Sequence, residues 1–208
     1  MLTLYHAPKT CARASHIALA ESGLPYRTQR LNFAEGEQRQ PAYLAINPKG
    51  RVPALVTERG ALTETPAILA FIAQSAPQAR LAPLDDAFAF AELQAFNSYL
   101  CSTVHVAHAH RFRGARWADD KSAHESMQRK VASNMRECFE LIEAQMLRGP
   151  WVMGAQYSVA DAYLFTIAGW LEGDGVDLAG LPATRDHMER MAQRPAVRQA
   201  LAEEAAGA

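Results

Sequence analysis

All strand-like patterns in this 208-residue chain lie before Pro77. The chain begins with a predicted strand from Leu2 to Tyr5, a helix from Cys11 to Ser22 and a second strand from Pro25 to Leu31. This order is the start of a βαβ unit, in which a helix joins two strands of one sheet. The first part of the chain is therefore predicted to be an α/β domain.

A β-hairpin is predicted in the same part of the chain. Ala54 to Thr57 and Ala61 to Thr63 flank Glu58-Arg59-Gly60, a three-residue connection with glycine in its last position. A helix is then expected to open at Thr65-Pro66, where a polar N-cap residue is followed by proline. These elements complete a small sheet with helices beside it.

Beyond Pro77 the periodicity of apolar residues is helical. One apolar stripe, from Phe88 to Ala107, predicts a long helix that faces the core. The segment from Val159 to Leu171 is apolar almost all round and is expected at the centre, with Ser158 and Asp161 as a capping-box-like pair at its start. The predicted division is an α/β domain at 1–77, a linker at 78–83 and an all-α helical domain at 84–208.

Composition and charge exclude several classes of function. The chain has 21 Lys and Arg against 22 Asp and Glu, so it has no excess of positive charge with which to bind nucleic acid or an anionic membrane. Its most apolar stretch, residues 160–171, is too short to span a bilayer, and the N-terminus lacks an export signal. Three separated cysteines favour a reducing compartment over a disulfide framework. We therefore expect a cytoplasmic protein that binds neither nucleic acid nor membranes.

Cys11 is the residue that points most directly to chemistry. It lies where a strand gives way to a helix, and the free N–H groups and partial positive charge of a first helical turn favour a thiolate. Lys9 and Arg13 add positive charge, so we expect a low pKa for Cys11. The local motif is Cys-x-x-Ala, so a thiol partner must come from outside it. The alternative is a small buried hydrophobe, the usual role of an isolated cysteine.

A histidine cluster lies further along the predicted helices, at His105, His108 and His110. The first two could share one helical face, but no third ligand is evident at a spacing suited to zinc. Histidines on a helix surface are more often solvated or hydrogen-bonded than metal-bound. We therefore expect no metal site.

Three further motifs follow Cys11 in a fixed order. They are Pro-Lys-Gly-Arg-Val-Pro-Ala-Leu at 48–55, Thr-Glu-Thr-Pro-Ala-Ile at 63–68 and Ser-Val-Ala-Asp-Ala-Tyr-Leu-Phe at 158–165. With the βαβ start and the helical second half, this combination resembles the glutathione transferases, specifically the bacterial beta-type enzymes, along the whole chain. The resemblance implies a thioredoxin-like N-terminal domain that binds glutathione and a helical domain that carries the acceptor pocket.

The resemblance also implies which residues bind glutathione. Pro53 would be a cis proline that exposes the backbone N–H and C=O of Val52, and these would pair with the cysteinyl part of glutathione as an added strand. Glu64 and Thr65, at the N-terminus of a helix, would bind the ammonium and carboxylate groups of the γ-glutamyl part. Without that context, Val-Pro would simply end a strand and Thr65 would be an N-cap.

The implied catalytic residues are Cys11 and His105. Cys11 matches the cysteine that can form a mixed disulfide with glutathione, and His105 matches the histidine that approaches the sulfur from the helical domain. A neutral imidazole could deprotonate a thiol, and an imidazolium could stabilise a thiolate. The resemblance further implies glutathione as co-substrate, a hydrophobic electrophilic small molecule as its acceptor, and a homodimer.

Three functions are compatible with these residues. The first is conjugation of reduced glutathione to the electrophile through the glutathione thiolate, with the acceptor held in an apolar cleft. The second is a glutathione-dependent thiol transferase or disulfide reductase with Cys11 as the covalent nucleophile, which a low pKa at Cys11 would favour. The third is a non-catalytic glutathione-binding or scaffold protein that keeps only the fold and the pocket.

Overall fold

A computed structural model describes residues 1–206, and its first part is built on one mixed sheet. The four strands are β1 (Leu2–His6), β2 (Tyr26–Arg30), β3 (Ala54–Thr57) and β4 (Gly60–Thr63). They lie in the order β2-β1-β3-β4, with β1 parallel to β2 and antiparallel to β3, and with β3 antiparallel to β4. The predicted βαβ start and hairpin are both present.

Helices cover both faces of this sheet. They are α1 (Ala12–Ser22), the short α2 (Pro41–Leu44) and α3 (Thr65–Ser75). Leu4 and Leu55 are direct cross-strand partners, and both are fully buried in one cluster with apolar side chains of α1 and α3. Tyr43 of α2 packs in a second cluster with Ala54. The sheet therefore holds the loops that precede α1, β3 and α3 in fixed positions.

The remainder of the described chain is helical. Its helices are α4 (Ala87–Tyr99), α5 (His105–Ala109), α6 (Lys121–Leu141), α7 (Val159–Ala168), α8 (Pro182–Ala192) and α9 (Pro195–Ala206). Two π-helical segments, Leu100–Val104 and Ile142–Met146, follow α4 and α6 without a break. Short 3₁₀ turns lie at Glu37–Arg39, Pro77–Ala79, Gly114–Arg116 and Leu178–Gly180. The α/β thioredoxin-like part followed by an all-α part confirms the predicted fold class.

Helix α7 is the centre of the helical half, as its composition predicts. All but one of its residues are buried, and it packs against α1 of the first domain. The predicted capping box is present, since the Asp161 carboxylate accepts the Ser158 N–H at 2.8 Å. The division at 77 and 84 stays a prediction. Within the described residues, every helix is too short or too polar to span a bilayer.

One predicted helix differs from the structure. The stripe from Phe88 to Ala107 is divided among α4, a π-helical segment and α5, and Phe88 is 75% exposed rather than part of the core. The Asp86 carboxylate caps α4 by accepting the N–H groups of Phe88 and Ala89, so Phe88 lies in the first turn at the surface. The prediction that Phe88 faces the core is wrong.

Candidate functional site

Cys11 lies at the junction between the sheet and the first helix. It is the N-cap residue of α1, follows the loop after β1, and is only 9% exposed. Its thiol donates a hydrogen bond of 3.5 Å to the backbone carbonyl of Val52. The Cys11 thiol therefore lies beside the backbone of Val52.

The expected low pKa of Cys11 is wrong. Burial raises the pKa of the Cys11 thiol to about 11, and this outweighs the lowering effects of Thr65 and of the positive charge of Arg113. Arg13 does little to stabilise a Cys11 thiolate, because its guanidinium is paired with Glu204 of α9 at 2.6 Å and 3.0 Å. At neutral pH Cys11 is therefore a thiol.

Alkylation should report this raised pKa. We expect the iodoacetamide reaction rate of Cys11, followed by peptide mass spectrometry, to keep rising from pH 7 to pH 10, because only the thiolate reacts. Free glutathione under the same conditions provides the comparison for an exposed thiol. A rate for Cys11 that levels off below pH 8 would contradict the assignment.

The loop before β3 presents the backbone of Val52. The Val52–Pro53 peptide bond is cis, as the resemblance implies, and both residues are buried. The carbonyl of the preceding Arg51 accepts hydrogen bonds of 2.6 Å from the Tyr43 hydroxyl and from the Asn47 side-chain amide. These two bonds hold the loop in place from the α2 side.

The start of α3 differs in detail from the prediction. Glu64, not Thr65, is the N-cap residue, and its φ of 72° is a backbone conformation that non-glycine residues rarely adopt. Thr65 is the first helical residue and is only 3% exposed. The Glu64 carboxylate pairs with the Lys49 ammonium group at 2.5 Å, a contact that the sequence did not reveal. Burial raises the pKa of Cys11 but the Thr65 side chain acts to lower it, so the start of α3 lies close to the Cys11 thiol.

His105 begins α5 and lies against an aromatic side chain. Its ring centre is 4.9 Å from that of Trp170. Burial lowers the pKa of His105 to about 4, and the charges of His108 and Arg113 lower it further, so the imidazole is neutral at neutral pH. Among the described residues, no hydrogen bond joins His105 to Cys11. The structure brings His105 to the cleft without direct contact with the cysteine.

Trp170 links the two halves of the site, and the sequence analysis missed it. Its indole N–H donates to the backbone carbonyl of Lys9 at 3.0 Å, two residues before Cys11. Its ring stacks on His108 at 4.2 Å, and His108 Nδ1 lies 2.6 Å from a carboxylate oxygen of the fully buried Asp174 side chain. A tryptophan directly after the apolar helix α7 was the available signal. Trp170 thus couples the cysteine loop to the helix that carries His105.

A second missed residue is Tyr163, which lies in α7. Its side chain is fully buried, and its hydroxyl has no hydrogen-bond partner among residues 1–206. Burial raises the pKa of Tyr163 well above its ordinary value, and the nearby Cys11 and Cys101 raise it further. Tyr163 therefore forms part of the inner wall beside the Cys11 thiol.

The other histidines of the cluster have protein partners. His108 is bound to Asp174, and the His110 ring meets Trp117 edge-on at 4.5 Å. In the part of the chain that the structure describes, no three His, Cys, Asp or Glu side chains are grouped to hold a metal ion.

Two buried histidines should make the fold sensitive to acid. Burial lowers the pKa of His6 to about 4, as it does for His105. The unfolded chain binds protons at both positions below pH 6.5, whereas the folded chain does not until about pH 4. The stability that the folded chain gains by keeping these histidines neutral is therefore fully present above pH 6.5 and is lost as the pH falls toward 4.

We expect a loss of about 2 kcal/mol in the free energy of unfolding for each of these histidines over that range. Guanidinium unfolding at a series of pH values measures it, with His6→Phe as the variant in which the loss should be smaller. A free energy of unfolding that stays constant between pH 6.5 and pH 4 would contradict the prediction.

Comparison with known proteins agrees with this geometry. The family model described as "Glutathione S-transferase, N-terminal domain" matches residues 1–74, and that described as "Glutathione S-transferase, C-terminal domain" matches residues 104–202. The two matches cover the sheet-containing part and most of the helical part. They include Cys11 in the first case and His105 in the second.

Individual proteins are similar over nearly the whole chain. Glutathione S-transferase GstA of Escherichia coli O157:H7 is 31% identical, with 98% of both chains covered. The disulfide-bond oxidoreductase YfcG of Escherichia coli K12 is 26% identical, with 97% of this chain and 94% of that protein covered. A glutathione transferase homologue from Sulfitobacter, solved with bound glutathione, is 48% identical with a TM-score of 0.92 and 96% of both chains covered. The chain therefore belongs to the glutathione S-transferase family.

Proposed function

We propose that this protein conjugates reduced glutathione to hydrophobic electrophilic small molecules through the glutathione thiolate. The observation that carries the proposal is the cleft in which the Val52 carbonyl lies 3.5 Å from the Cys11 sulfur, beside the cis-Pro53 turn and the N-terminus of α3. A short peptide with a central cysteine fits that arrangement, because its thiol would lie near Cys11 when its backbone pairs with Val52.

The γ-glutamyl and cysteinyl parts of glutathione each have partners in this cleft. The N–H groups in the first turn of α3 and the Thr65 hydroxyl suit the α-carboxylate of the γ-glutamyl part. The Glu64 carboxylate suits the ammonium group of the same part, which would share it with Lys49. Val52 pairs with the cysteinyl part. These contacts bind glutathione without any covalent bond to the protein.

His105 supplies the interaction that favours the glutathione thiolate. Since burial keeps its imidazole neutral, we assign it as a hydrogen-bond donor to the sulfur rather than as a cation. The thiol proton leaves to solvent, and the thiolate attacks the electrophilic carbon of the acceptor. A carbon–sulfur bond forms, and the bond to the leaving group breaks with its electron pair.

The thiol-transferase reaction is the second candidate, and the position of Cys11 favours it. In that reaction the Cys11 thiolate attacks the glutathione sulfur of a mixed disulfide between glutathione and another thiol, forms a Cys11–glutathione disulfide and releases the other thiol in reduced form. A second glutathione thiolate then attacks the Cys11–glutathione disulfide, leaves as oxidised glutathione and restores the Cys11 thiolate. The raised pKa of Cys11 leaves little thiolate at neutral pH, so conjugation ranks first.

Activity assays with Cys11→Ala distinguish these functions. Conjugation to 1-chloro-2,4-dinitrobenzene should continue in Cys11→Ala, and calorimetry should show glutathione affinity close to that of the wild type, because Val52, Glu64 and Thr65 provide the contacts. A different result would assign the thiol-transferase reaction. In that case Cys11→Ala loses conjugation but still binds glutathione, and the wild type gains a glutathionyl group after incubation with oxidised glutathione. Saturable binding with no turnover of either kind would show a scaffold.

Three broader assignments accompany this proposal. The resemblance to the family supports a homodimer, which sedimentation of the purified protein would test. The cysteines at 11, 101 and 138 are all free thiols, which supports a reducing cytoplasmic environment. We also propose the domain division at 1–77, 78–83 and 84–208, which limited proteolysis in the linker would test.

A further inference from the structure

Two exposed arginines lie close together on the sheet side of the cleft. Arg51 directly precedes Val52, and Arg39 ends the 3₁₀ turn that faces it. The two segments touch, because a Cβ placed on Gly50 would lie only 3.0 Å from the backbone carbonyl oxygen of Gln38. Arg39 and Arg51 therefore belong to adjoining segments, one of which is the loop that we assign to glutathione.

Two more exposed arginines lie on the helical side. Arg113 and Arg116 belong to one tight turn, in which the Arg116 N–H donates to the Arg113 carbonyl at 2.9 Å. This turn follows α5, the helix that begins with His105. Phe112 and Trp117, which are 73% and 44% exposed, lie on either side of it. The segment thus combines positive charge with uncovered aromatic surface.

The two pairs of arginines are close enough for their charges to interact. The pKa of Arg116 is lowered by burial and by the positive charges of Arg113, Arg51 and Arg39. Arg113, Arg116 and Arg51 also lower the pKa of His105. Like charges come this close at an energetic cost, which a bound anion would relieve.

Within residues 1–206, no carboxylate neutralises this group. None of its four arginines forms an ion pair, although Arg13, Arg111, Arg148 and Arg194 each have one with Glu or Asp. We call Arg39, Arg51, Arg113 and Arg116 the arginine patch. It is a group of exposed positive charges with no counter-ion from the described chain.

We propose that Arg113 and Arg116 of the arginine patch bind a carboxylate group of the acceptor, so that this enzyme selects electrophiles that carry an acidic group. The inference rests on the proposed conjugation reaction and names the class of acceptor for it. Arginine suits this task, because its planar guanidinium can donate two parallel hydrogen bonds to a carboxylate. Phe112 and Trp117 would contact the apolar body of the same molecule.

Glutathione also carries carboxylates, which compete with the acceptor carboxylate for the arginine patch. Its α-carboxylate is assigned to Thr65 and the start of α3, and we assign its glycyl carboxylate to the sheet-side arginines Arg39 and Arg51, which flank the Val52 loop. Arg113 and Arg116 belong to the helical half, beside His105 and the exposed aromatic rings. Those two arginines are therefore available to the acceptor.

The test compares two acceptors that differ by one negative charge and one methyl group, 4-chloro-3,5-dinitrobenzoate and its methyl ester, at saturating glutathione. Each kcat/KM is divided by the uncatalysed rate constant, and the ratio of acid to ester is followed. We expect a ratio above one for the wild type. In Arg113→Gln and in Arg116→Gln it should fall about tenfold, the effect of one lost charge-assisted contact. Arg198→Gln, an exposed arginine of α9 without an ion pair, is the matched control.

The outcomes separate this inference from the proposed function. An acid-to-ester ratio that is unchanged in both patch variants, with both acceptors turned over, would overturn the inference alone. If the patch substitutions raise the glutathione Kd by a larger factor than they lower the acid-to-ester ratio, the patch binds glutathione itself. That result would also overturn the inference. Failure of the wild type to turn over either acceptor, despite bound glutathione, would overturn both.

Discussion

Asp161→Ala is expected to lower the free energy of unfolding by about 3–5 kcal/mol, more than any other single change considered. The Asp161 carboxylate is fully buried and accepts the backbone N–H groups of Val152 at 2.7 Å and Ser158 at 2.8 Å. It also lies 3.0 Å from Nε2 of the equally buried His187. Removal of the carboxylate leaves all three groups without a partner in a site that water does not reach.

Chemical denaturation measures this loss, and a surface N-cap provides its control. Asp86 also accepts two backbone N–H groups at a helix start, but as the N-cap residue of α4 and at an exposed position, so Asp86→Ala should cost only about 1 kcal/mol. Asp161→Asn should fall between the two, because its amide oxygen can still accept one of the backbone bonds. Equal losses of unfolding free energy for Asp161→Ala and Asp86→Ala would show that the buried hydrogen bonds of Asp161 stabilise the fold no more than an exposed N-cap does.

His105→Ala should reduce kcat/KM for conjugation by about 10²-fold or more, the usual effect of losing one donor to a developing anion. The neutral imidazole is the donor that we assign to the glutathione sulfur, and its pKa of about 4 excludes a cationic role at neutral pH. The loss should appear in kcat rather than in glutathione affinity, because His105 contacts only the sulfur. Steady-state kinetics with calorimetry of the same variant separates the two.

A conservative variant distinguishes donation from simple packing. His105→Gln retains an N–H donor and should recover part of the rate, whereas His105→Phe retains the ring packing on Trp170 but no donor. The wild-type rate should also show no inflection near pH 6.5 that depends on His105. If His105→Phe is as active as the wild type, His105 is a packing residue only.

Local sequence signals predict the fold well because each acts within a few residues. The βαβ start, the hairpin around Gly60 and the capping box at Ser158 and Asp161 all appear where the pattern places them. Chain connectivity and capping chemistry decide these features, and neither needs knowledge of distant residues. The cis bond before Pro53 came instead from the resemblance to the family.

The chemistry of Cys11 was mispredicted because it depends on distant parts of the chain. The helix start and the neighbouring Arg13 both favour a thiolate, but the folded chain buries the sulfur and pairs Arg13 with Glu204, 191 residues away. Burial then outweighs the local charge. No local pattern around residue 11 contains that information.

Two other features of the site share this origin. Trp170 bonds to the Lys9 carbonyl across the boundary between the halves, a contact that spans 161 residues. Glu64 has a positive φ although it is not glycine, and its residue type does not predict that conformation. The arginine patch likewise joins a loop near residue 51 to a turn near residue 114, so it becomes visible only in the folded chain.

The central claim is that this cleft binds glutathione as its thiolate, and ultraviolet titration of bound glutathione tests it most directly. The Cys11→Ala variant removes the thiol of the protein from the site, so a change in thiolate absorbance with pH at saturating glutathione reports the bound ligand. Our account predicts that the bound thiol has a pKa at least about one unit below that of free glutathione, a shift worth about 1.4 kcal/mol, and that His105→Ala reverses much of it. A bound thiol that titrates as it does in water would contradict the account.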